Sequence, residues 1–296
     1  MSIFDYLQFV LAPQVVNGLT LGVALVLVTL GLTITFGLLD VLNMSHGEFY
    51  AVGAFCAIAL GLLGIGFWAS LVLVPLLMMP FAMFIERAMI RPVYSRADRH
   101  TTTLLVTFGL ALVLEDALKL AFGPNPYRPE NPLPGALSLG EMVLPTYRLF
   151  LIGAGSAVIA VVAWVVYRTR IGAMVRAAAF DRDMAASLGV PVGVVYACTF
   201  ACGAMLAGLA GVLLAPVYSA FPTMGRDFIT LAFSVVIVGG MGSIAGAVVA
   251  GLLLAQVSAL TSLVIAPVWT EPIVFGVMVL FLMFRPKGLF GRIGHA

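Results

Sequence analysis

A short polar string, Asn43-Met44-Ser45-His46-Gly47-Glu48, separates two long apolar runs. Neither flanking run, 6–39 or 49–85, contains an Asp, Glu, Lys or Arg. An amide, a hydroxyl, an imidazole and a carboxylate are costly at membrane depth unless each is satisfied, so such groups face a cavity or neighbouring helices. The string therefore carries the groups that would hold or pass a polar solute.

The same string also fits a plain helix break. Asn43 and Ser45 are residue types that cap the start of a helix, and Gly47 permits a sharp turn. His46 would then bond to backbone, and Glu48 would lie in the first turn, where the helix dipole favours a carboxylate. The alternative is that the break lines a translocation path, since irregular backbone is tolerated where it borders a cavity. The two interpretations are compatible, and we expect His46 to be structural rather than a proton carrier.

A second string, 239–243, interrupts the uncharged sequence near the carboxyl end with glycines. Gly242 and Gly246 form a GxxxG pair, which favours close helix packing. The backbone at Gly240 and Gly242 could instead line a constriction of the same path. Another GxxxG pair, at 18–22, is expected to pack against a neighbouring helix.

Charged residues inside the apolar runs are few. Glu115 and Lys119 are spaced i, i+4 in the order that favours an ion pair, and Asp116 lies beside them. This group falls near the outer end of a predicted span. It indicates either an ion pair at the membrane interface or a gate or docking contact on the external face.

The composition defines the class of protein. Hydrophobic residues make up 62% of the 296-residue chain and charged residues only 9%. Soluble domains carry roughly a quarter charged residues, so this chain could not cover a water-facing surface. Runs of about 20 apolar residues predict an all-α integral membrane protein, a polytopic bundle of transmembrane helices forming one domain over 1–296. The formal charge of +2 says nothing about nucleic-acid binding.

We expect eight or nine spans, with discontinuous helices near 43–47 and 239–243. The predicted spans are 15–36, 47–64, 68–90, 102–122, 149–167 and 192–217, with two or three more in 229–284. Cations collect after the third span, after the fifth and at the carboxyl end, which predicts that these sites are cytoplasmic. They are Arg87, Arg91, Arg96, Arg99, Arg168, Arg170, Arg176, Arg182, Arg285, Lys287 and Arg292. Nine passes then put the N-terminus outside and the C-terminus in the cytoplasm.

Two connections between spans are long. Segment 123–147 carries six prolines and is expected to be an ordered external loop rather than a helix. Segment 169–191 should contain a helix over 174–188, with Gly189 and Pro191 as stop signals. A short helix held at the membrane face is suited to dock into a groove on a cytoplasmic partner.

A faint repeat relates the two ends of the chain. Each unit has an apolar span, a break containing Gly or Ser, and a second apolar span. The units finish near Arg91-Pro92 and Arg285-Pro286. Transporters are often built from such repeats, whose discontinuous helices form the substrate path.

Enzyme motifs are missing from the sequence. It contains no GxxxxGK[ST] phosphate loop and no HExxH or supported GxSxG motif. The chain is therefore not expected to be an enzyme or to bind ATP itself. A self-sufficient secondary carrier or channel would need ion-coupling carboxylates near the membrane midplane or a selectivity ring, and neither is convincing.

Four co-linear strings carry a resemblance to a known family. LNMSHGEFYAVGAF (42–55), ERAMIRPV (86–93), VIVGGMGSIAGAVVAG (236–251) and RPKGLFG (285–291) resemble LivH-type permeases, the membrane subunits of branched-chain amino-acid ABC importers. Between them, Arg176, Asp181, Ala185 and Gly189 fall where that family has its ATPase-coupling loop. The sequence Ala177-Ala178-Ala179-Phe180 departs from the older glutamate-alanine-alanine pattern of many importers.

The resemblance implies a set of partners in a bacterial inner membrane. These would be a second permease subunit (a related chain or a second copy), two cytoplasmic ATPase subunits that bind ATP and Mg²⁺, and an external substrate-binding protein. No cofactor or metal is implied on this chain. Alternating access would move branched-chain or related amino acids. Urea, short amides and carboxylic acids remain alternative substrates, and a secondary carrier or channel for such small polar solutes remains the alternative function.

Overall fold

The computed structural model describes residues 10–39, 42–93, 98–139 and 142–291. Within those ranges, nine helices have at least 15 residues. In chain order the α-helices and strands are α1 (Ala12–Leu39), α2 (His46–Leu62), α3 (Phe67–Ile85), α4 (Arg99–Phe122), β1 (Ala136–Leu139), β2 (Met142–Pro145), α5 (Thr146–Arg168), α6 (Arg170–Phe180), α7 (Arg182–Ser187), α8 (Val192–Tyr218), α9 (Met224–Gly239), α10 (Ile244–Val264) and α11 (Thr270–Phe284). A π-helix (Glu86–Ile90) and a 3-10 helix (Arg91–Val93) continue α3, and a 3-10 helix (Pro267–Trp269) precedes α11. Each of the six predicted spans falls on one helix, and the region 229–284 lies within the last three.

The helices form a bundle around α1 and α8. The most apolar windows of these two helices are 78% and 83% buried, whereas that of α5 is 17% buried. Five helices, α1, α3, α5, α8 and α10, are long and apolar enough to cross a membrane. The outer helices present large apolar side chains such as Trp164 and Leu120 to the surroundings. A bundle with an apolar exterior of this kind is an all-α membrane protein.

Close helix approach depends on glycine at the core. A Cβ atom at Gly53 of α2 would lie 2.3 Å from the Cα atom of Gly208 in α8, so the two backbones meet directly. The predicted packing pair in the first span is confirmed, because Gly18 and Gly22 face Gln256 and Leu252 of α10. Small residues at such contacts let helices pack tightly in a membrane.

The string 239–243 was predicted to interrupt a single helix, and this prediction is wrong. It is a turn between α9 and α10, which fold back on each other so that Gly239 and Gly246 are in backbone contact. Gly240 and Gly242 have positive φ angles of 96° and 78°, which is why glycine stands at both. The close pair is therefore Gly239 with Gly246, rather than Gly242 with Gly246.

The segment 169–191 forms two helices instead of the expected single one. Helix α6 ends at Phe180, and α7 begins after Asp181, whose Oδ1 accepts a hydrogen bond of 2.9 Å from the backbone N–H of Met184. An aspartate at this position satisfies an otherwise unpaired amide of the second helix, which explains the break. The helix stop at Gly189 is confirmed by its positive φ angle of 84°.

The described part of segment 123–147 is largely non-helical, as predicted. Strands β1 and β2 pair antiparallel from Ala136 with Pro145 to Leu139 with Met142. Tyr127 exchanges backbone hydrogen bonds with Ala220, just after α8. The loop is thus fixed to the end of α8. Arg96 and Arg292, which belong to the predicted cationic clusters, lie outside the described residues.

Candidate functional site

Helix α2 starts beside the middle of α1, not at its end. The ring nitrogen Nε2 of His46 lies 3.1 Å from the carbonyl oxygen of Val28, and because a carbonyl only accepts, Nε2 donates. Val28 is eleven residues before Leu39, or about 16 Å along the helix axis. The backbone N–H of Met44 also donates to Thr107, in the middle of α4. The first predicted discontinuity is therefore a real one.

Asn43 shapes the turn that leads into α2. Its Oδ1 accepts hydrogen bonds from the backbone N–H of Ser45 at 3.1 Å and from the Ser45 hydroxyl at 2.7 Å. Ser45 occupies the N-cap position, but its side chain makes no capping bond, so the predicted hydroxyl cap is replaced by this local turn. The prediction that His46 bonds to a backbone group is confirmed by its contact with Val28. Asn43, Ser45 and His46 are all buried.

The first turn of helix α9 lies against the first turn of α2. After α8 ends at Tyr218, the chain turns through 219–223 and α9 begins at Met224. A Cβ atom at Gly47 would lie 2.2 Å from the carbonyl oxygen of Gly225, so the first turns of the two helices are in backbone contact. One turn further on, the rings of Tyr50 and Phe228 stack at 4.5 Å. We call this meeting point, residues 46–49 with 224–227, the α2–α9 junction.

The break at 219–223 was not predicted from the sequence. The string Ser45-His46-Gly47-Glu48-Phe49 is similar to Thr223-Met224-Gly225-Arg226-Asp227-Phe228, with a hydroxyl residue at the N-cap, Gly at the second helical position and charge next. The second unit of the repeat therefore has its break here and not at 239–243. Pro222 and Thr223, a helix-start signal, could have located it.

Glu48 lies in the first turn of α2, as predicted, and is 2% exposed. Its carboxylate points at the first turn of α9, 2.6 Å from where a Cβ atom of Gly225 would be. The Oε2 atom is buried and has no hydrogen-bond partner among the described residues. Glu115, Lys119, Arg226 and Asp227 are close enough to interact with it electrostatically. A carboxylate oxygen left unpaired at this depth is energetically costly.

The predicted ion pair in α4 is confirmed. Lys119 Nζ lies 2.6 Å from Glu115 Oε1 and 3.2 Å from Asp116 Oδ1. Glu115 also receives Arg226 of α9, with Nη2 at 3.5 Å. Sequence reasoning did not find Arg226, because nothing local indicates that α9 packs its first turn beside α4.

Gly240 and Gly242 lie away from this junction. Gly240 contacts Gly291 in the carboxyl-terminal tail, and Gly242 contacts Gly37 near the end of α1. Gly37 is nine residues beyond Val28, or about 14 Å. The structure thus brings together Asn43, Ser45, His46 and Glu48, and places the two glycines at one end of the bundle.

The four residues assigned to the coupling loop have local roles in α6 and α7. The Nη1 group of Arg176 donates to the carbonyl oxygen of Val166 near the end of α5. Asp181 caps α7, Ala185 is a buried residue within α7, and Gly189 forms the turn after it. Their side chains shape the segment, and Ala185 offers no free surface.

The same segment also exposes large apolar side chains. Phe180, Met184 and Leu188 are 79%, 59% and 77% exposed. They recur every four residues across the α6–α7 break. We call these three residues the apolar row. Arg182 lies over the ring of Tyr196 at 5.6 Å and ties α7 to α8, which keeps the row in place.

Nothing in the described ranges suggests a bound metal. No group of three or more His, Cys, Asp or Glu residues there could hold a metal ion. The groups at the junction interact through charge and hydrogen bonding.

Fold and site together define a helical membrane protein in which two helices begin inside the bundle and place charged groups at their junction. Comparison with known proteins gives the family. A profile of the branched-chain amino acid transport system permease components matches residues 14–283, so the chain belongs to that family.

Individual relatives match along nearly their whole length. The chain is 32% identical to the high-affinity branched-chain amino acid transport system permease protein BraD of Pseudomonas aeruginosa, covering 98% of this chain and 97% of the relative. It is 30% identical to the corresponding LivH protein of Escherichia coli K12, covering 94% and 95%. A probable LivH protein of Methanocaldococcus jannaschii is 26% identical, covering 90% and 88%.

Proposed function

We propose that this chain is the membrane-spanning permease subunit of an ATP-driven importer and moves branched-chain or related amino acids by alternating access. The observation that carries the proposal is membership of the permease family over residues 14–283. The chain is a transport subunit and not an enzyme. The geometry fits this role, because a bundle with two helix starts at its centre has a natural point at which a path can close.

The translocation path runs through the α2–α9 junction. Asn43, Ser45, His46 and Glu48 provide its polar groups, and the contact of Gly47 with Gly225 is its closed point in this structure. Separation of the two first turns would open the junction to one side of the membrane. Gly240 and Gly242 mark the cytoplasmic end of the path, where their turn supports the end of α1.

The cytoplasmic contact is made by the segment 169–191. Arg176, Asp181, Ala185 and Gly189 hold α6 and α7 in shape, and the apolar row of Phe180, Met184 and Leu188 enters a groove on an ATPase subunit. Exposed apolar anchors on a short helix suit such a groove. Two ATPase subunits, each binding ATP and Mg²⁺, would drive the cycle.

We infer that α1 to α5 and α8 to α11 make nine crossings of a bacterial inner membrane, with the N-terminus outside and the C-terminus in the cytoplasm. The contacts support one common cytoplasmic end: Arg91 approaches Gly193 at the start of α8, and Gly242 approaches Gly37. The fixed loop at 123–147 then faces outward, where an external binding protein would dock. A second permease subunit completes the path.

Purification in mild detergent from native membranes, followed by mass spectrometry, tests the assembly. We expect stoichiometric recovery of an ATPase, with a related permease or a second copy of this chain. A homo-oligomer that moves solute in liposomes without ATP would overturn the proposal. It would make this chain a self-sufficient carrier or channel.

A further inference from the structure

The α2–α9 junction and the adjoining turn of α4 have more carboxylates than cations. Among the described residues, the carboxylates of Glu115 and Asp227 and the cations of Arg226 and Lys119 act electrostatically on Glu48. Asp116 adds a further carboxylate, which shares Lys119 with Glu115. Both cations contact Glu115, which leaves Glu48 without a hydrogen-bonded partner at Oε2. A buried carboxylate is tolerated when a cation neutralises it, so the position suits a positively charged group that arrives from outside the chain.

Arg226 offers the opposite chemistry, and it follows Gly225, the residue against which the Glu48 carboxylate lies. It stands in the first turn of α9, its side chain is 61% exposed, and its ion pair with Glu115 is long at 3.5 Å. Most of its five donors are therefore available. A guanidinium binds a carboxylate through two parallel hydrogen bonds, and the start of α9 adds favourable dipole charge.

We propose that Glu48 and Arg226 form a binding site for a zwitterionic solute at the α2–α9 junction, with Glu48 receiving the ammonium group and Arg226 the carboxylate. This inference rests on the proposed function, since the solute is the one being transported. It places part of the substrate selectivity in the permease. Urea and simple carboxylic acids lack one or both charges and would not satisfy the site.

The junction is closed in this structure, so binding and opening are linked. Gly225 has no side chain between Glu48 and the first turn of α9, and Gly47 has none between the two backbones. A solute that bridges Glu48 and Arg226 would take the place of this direct contact. Glu48 belongs to α2 and Arg226 to α9, so a bound solute would hold the two helices together during the change of access.

The test uses the purified permease with its ATPase subunits in detergent and saturation-transfer NMR with three probes. The probes are L-leucine, isocaproate, which lacks the amino group, and isoamylamine, which lacks the carboxylate. The wild-type complex should bind leucine more tightly than either analogue. Loss of one charge-assisted contact should weaken leucine binding roughly 10- to 100-fold.

Two variants test the contributions of Glu48 and Arg226 separately. Glu48→Gln should lose leucine and isoamylamine binding while isocaproate binding persists, and Arg226→Gln should lose leucine and isocaproate while isoamylamine persists. A misfolded variant would lose all three probes together and could not produce this crossed pattern. Glu130→Gln, in the loop after α4, is the matched control and should resemble wild type.

Unchanged leucine affinity in both variants, or no leucine binding by the wild-type complex, would overturn the proposal. ATP-dependent leucine uptake by the complete complex is measured in parallel. If uptake occurs without the crossed pattern, the proposed function stands and this site is wrong. If uptake does not occur at all, the assigned function fails independently.

Discussion

The side chain of His46 donates a 3.1 Å hydrogen bond from Nε2 to the carbonyl oxygen of Val28, eleven residues before the end of α1. This bond fixes where α2 begins. Because His46 is 1% exposed and makes this bond in the centre of the bundle, its first role is structural.

His46→Ala should therefore lower the stability of the purified permease. Removing the ring leaves a cavity and abolishes the bond, at a cost of about 2–4 kcal/mol. The thermal unfolding midpoint in detergent measures this. His46→Gln, which keeps a donor, should recover part of the loss. An unchanged midpoint with abolished transport would instead assign His46 to the transport step itself.

The glycine contact between α2 and α8 gives a second test. Gly53→Ala would force a Cβ atom to 2.3 Å from Gly208, and such overpacking costs about 1–3 kcal/mol. Gly61→Ala, in the same helix, is the matched control, because nothing lies within 4 Å of its Cβ position. The control should be neutral or raise the midpoint slightly, since alanine suits a helix better than glycine. Equal midpoints for both variants would contradict the packing described here.

The ion pairs of α4 differ in burial and should differ in importance. Glu115 is 4% exposed and receives both Lys119 and Arg226, whereas the side chain of Asp116 is 69% exposed. Glu115→Gln should lower the free energy of unfolding by about 1–3 kcal/mol, and Asp116→Asn by less than about 1 kcal/mol. Chemical or thermal unfolding of the two variants side by side measures the difference. The reverse order would mean that Glu115 is not the anchor of this cluster.

Substitutions in the apolar row should weaken assembly with the ATPase without lowering the stability of the permease. Phe180→Ser and Leu188→Ser remove exposed side chains, so the midpoint of the isolated permease should hardly change. Co-purification of the ATPase should fall at least severalfold, because buried apolar anchors dominate such contacts. Val143→Ser, also exposed but in β2, should leave ATPase recovery intact. If Val143→Ser lowers recovery and the row variants do not, the assigned orientation is inverted.

Much of the fold was predictable because a long uncharged run of residues forms a helix in a bilayer. The positions of α1, α3 and α8 follow from run length, and the Glu115–Lys119 pair follows from helical spacing. The break before His46 was predictable because polar residues stand between two such runs.

Other features depend on contacts that no local pattern contains. The 219–223 turn lies inside the uncharged run 184–225 and was hidden by it, although Pro222 and Thr223 mark a helix start. The approach of Arg226 to Glu115 follows from the packing of α9 against its neighbours. The break at Asp181 reflects a local competition between one continuous helix and a capped restart, which the capping bond to Met184 decides.

The most direct test of the account is uptake of radiolabelled leucine into liposomes that contain the complete complex, with the external binding protein supplied outside. We predict accumulation that requires ATP on the ATPase side and is lost when the ATPase subunits are inactivated. Uptake that proceeds without ATP and follows an ion gradient would contradict the account.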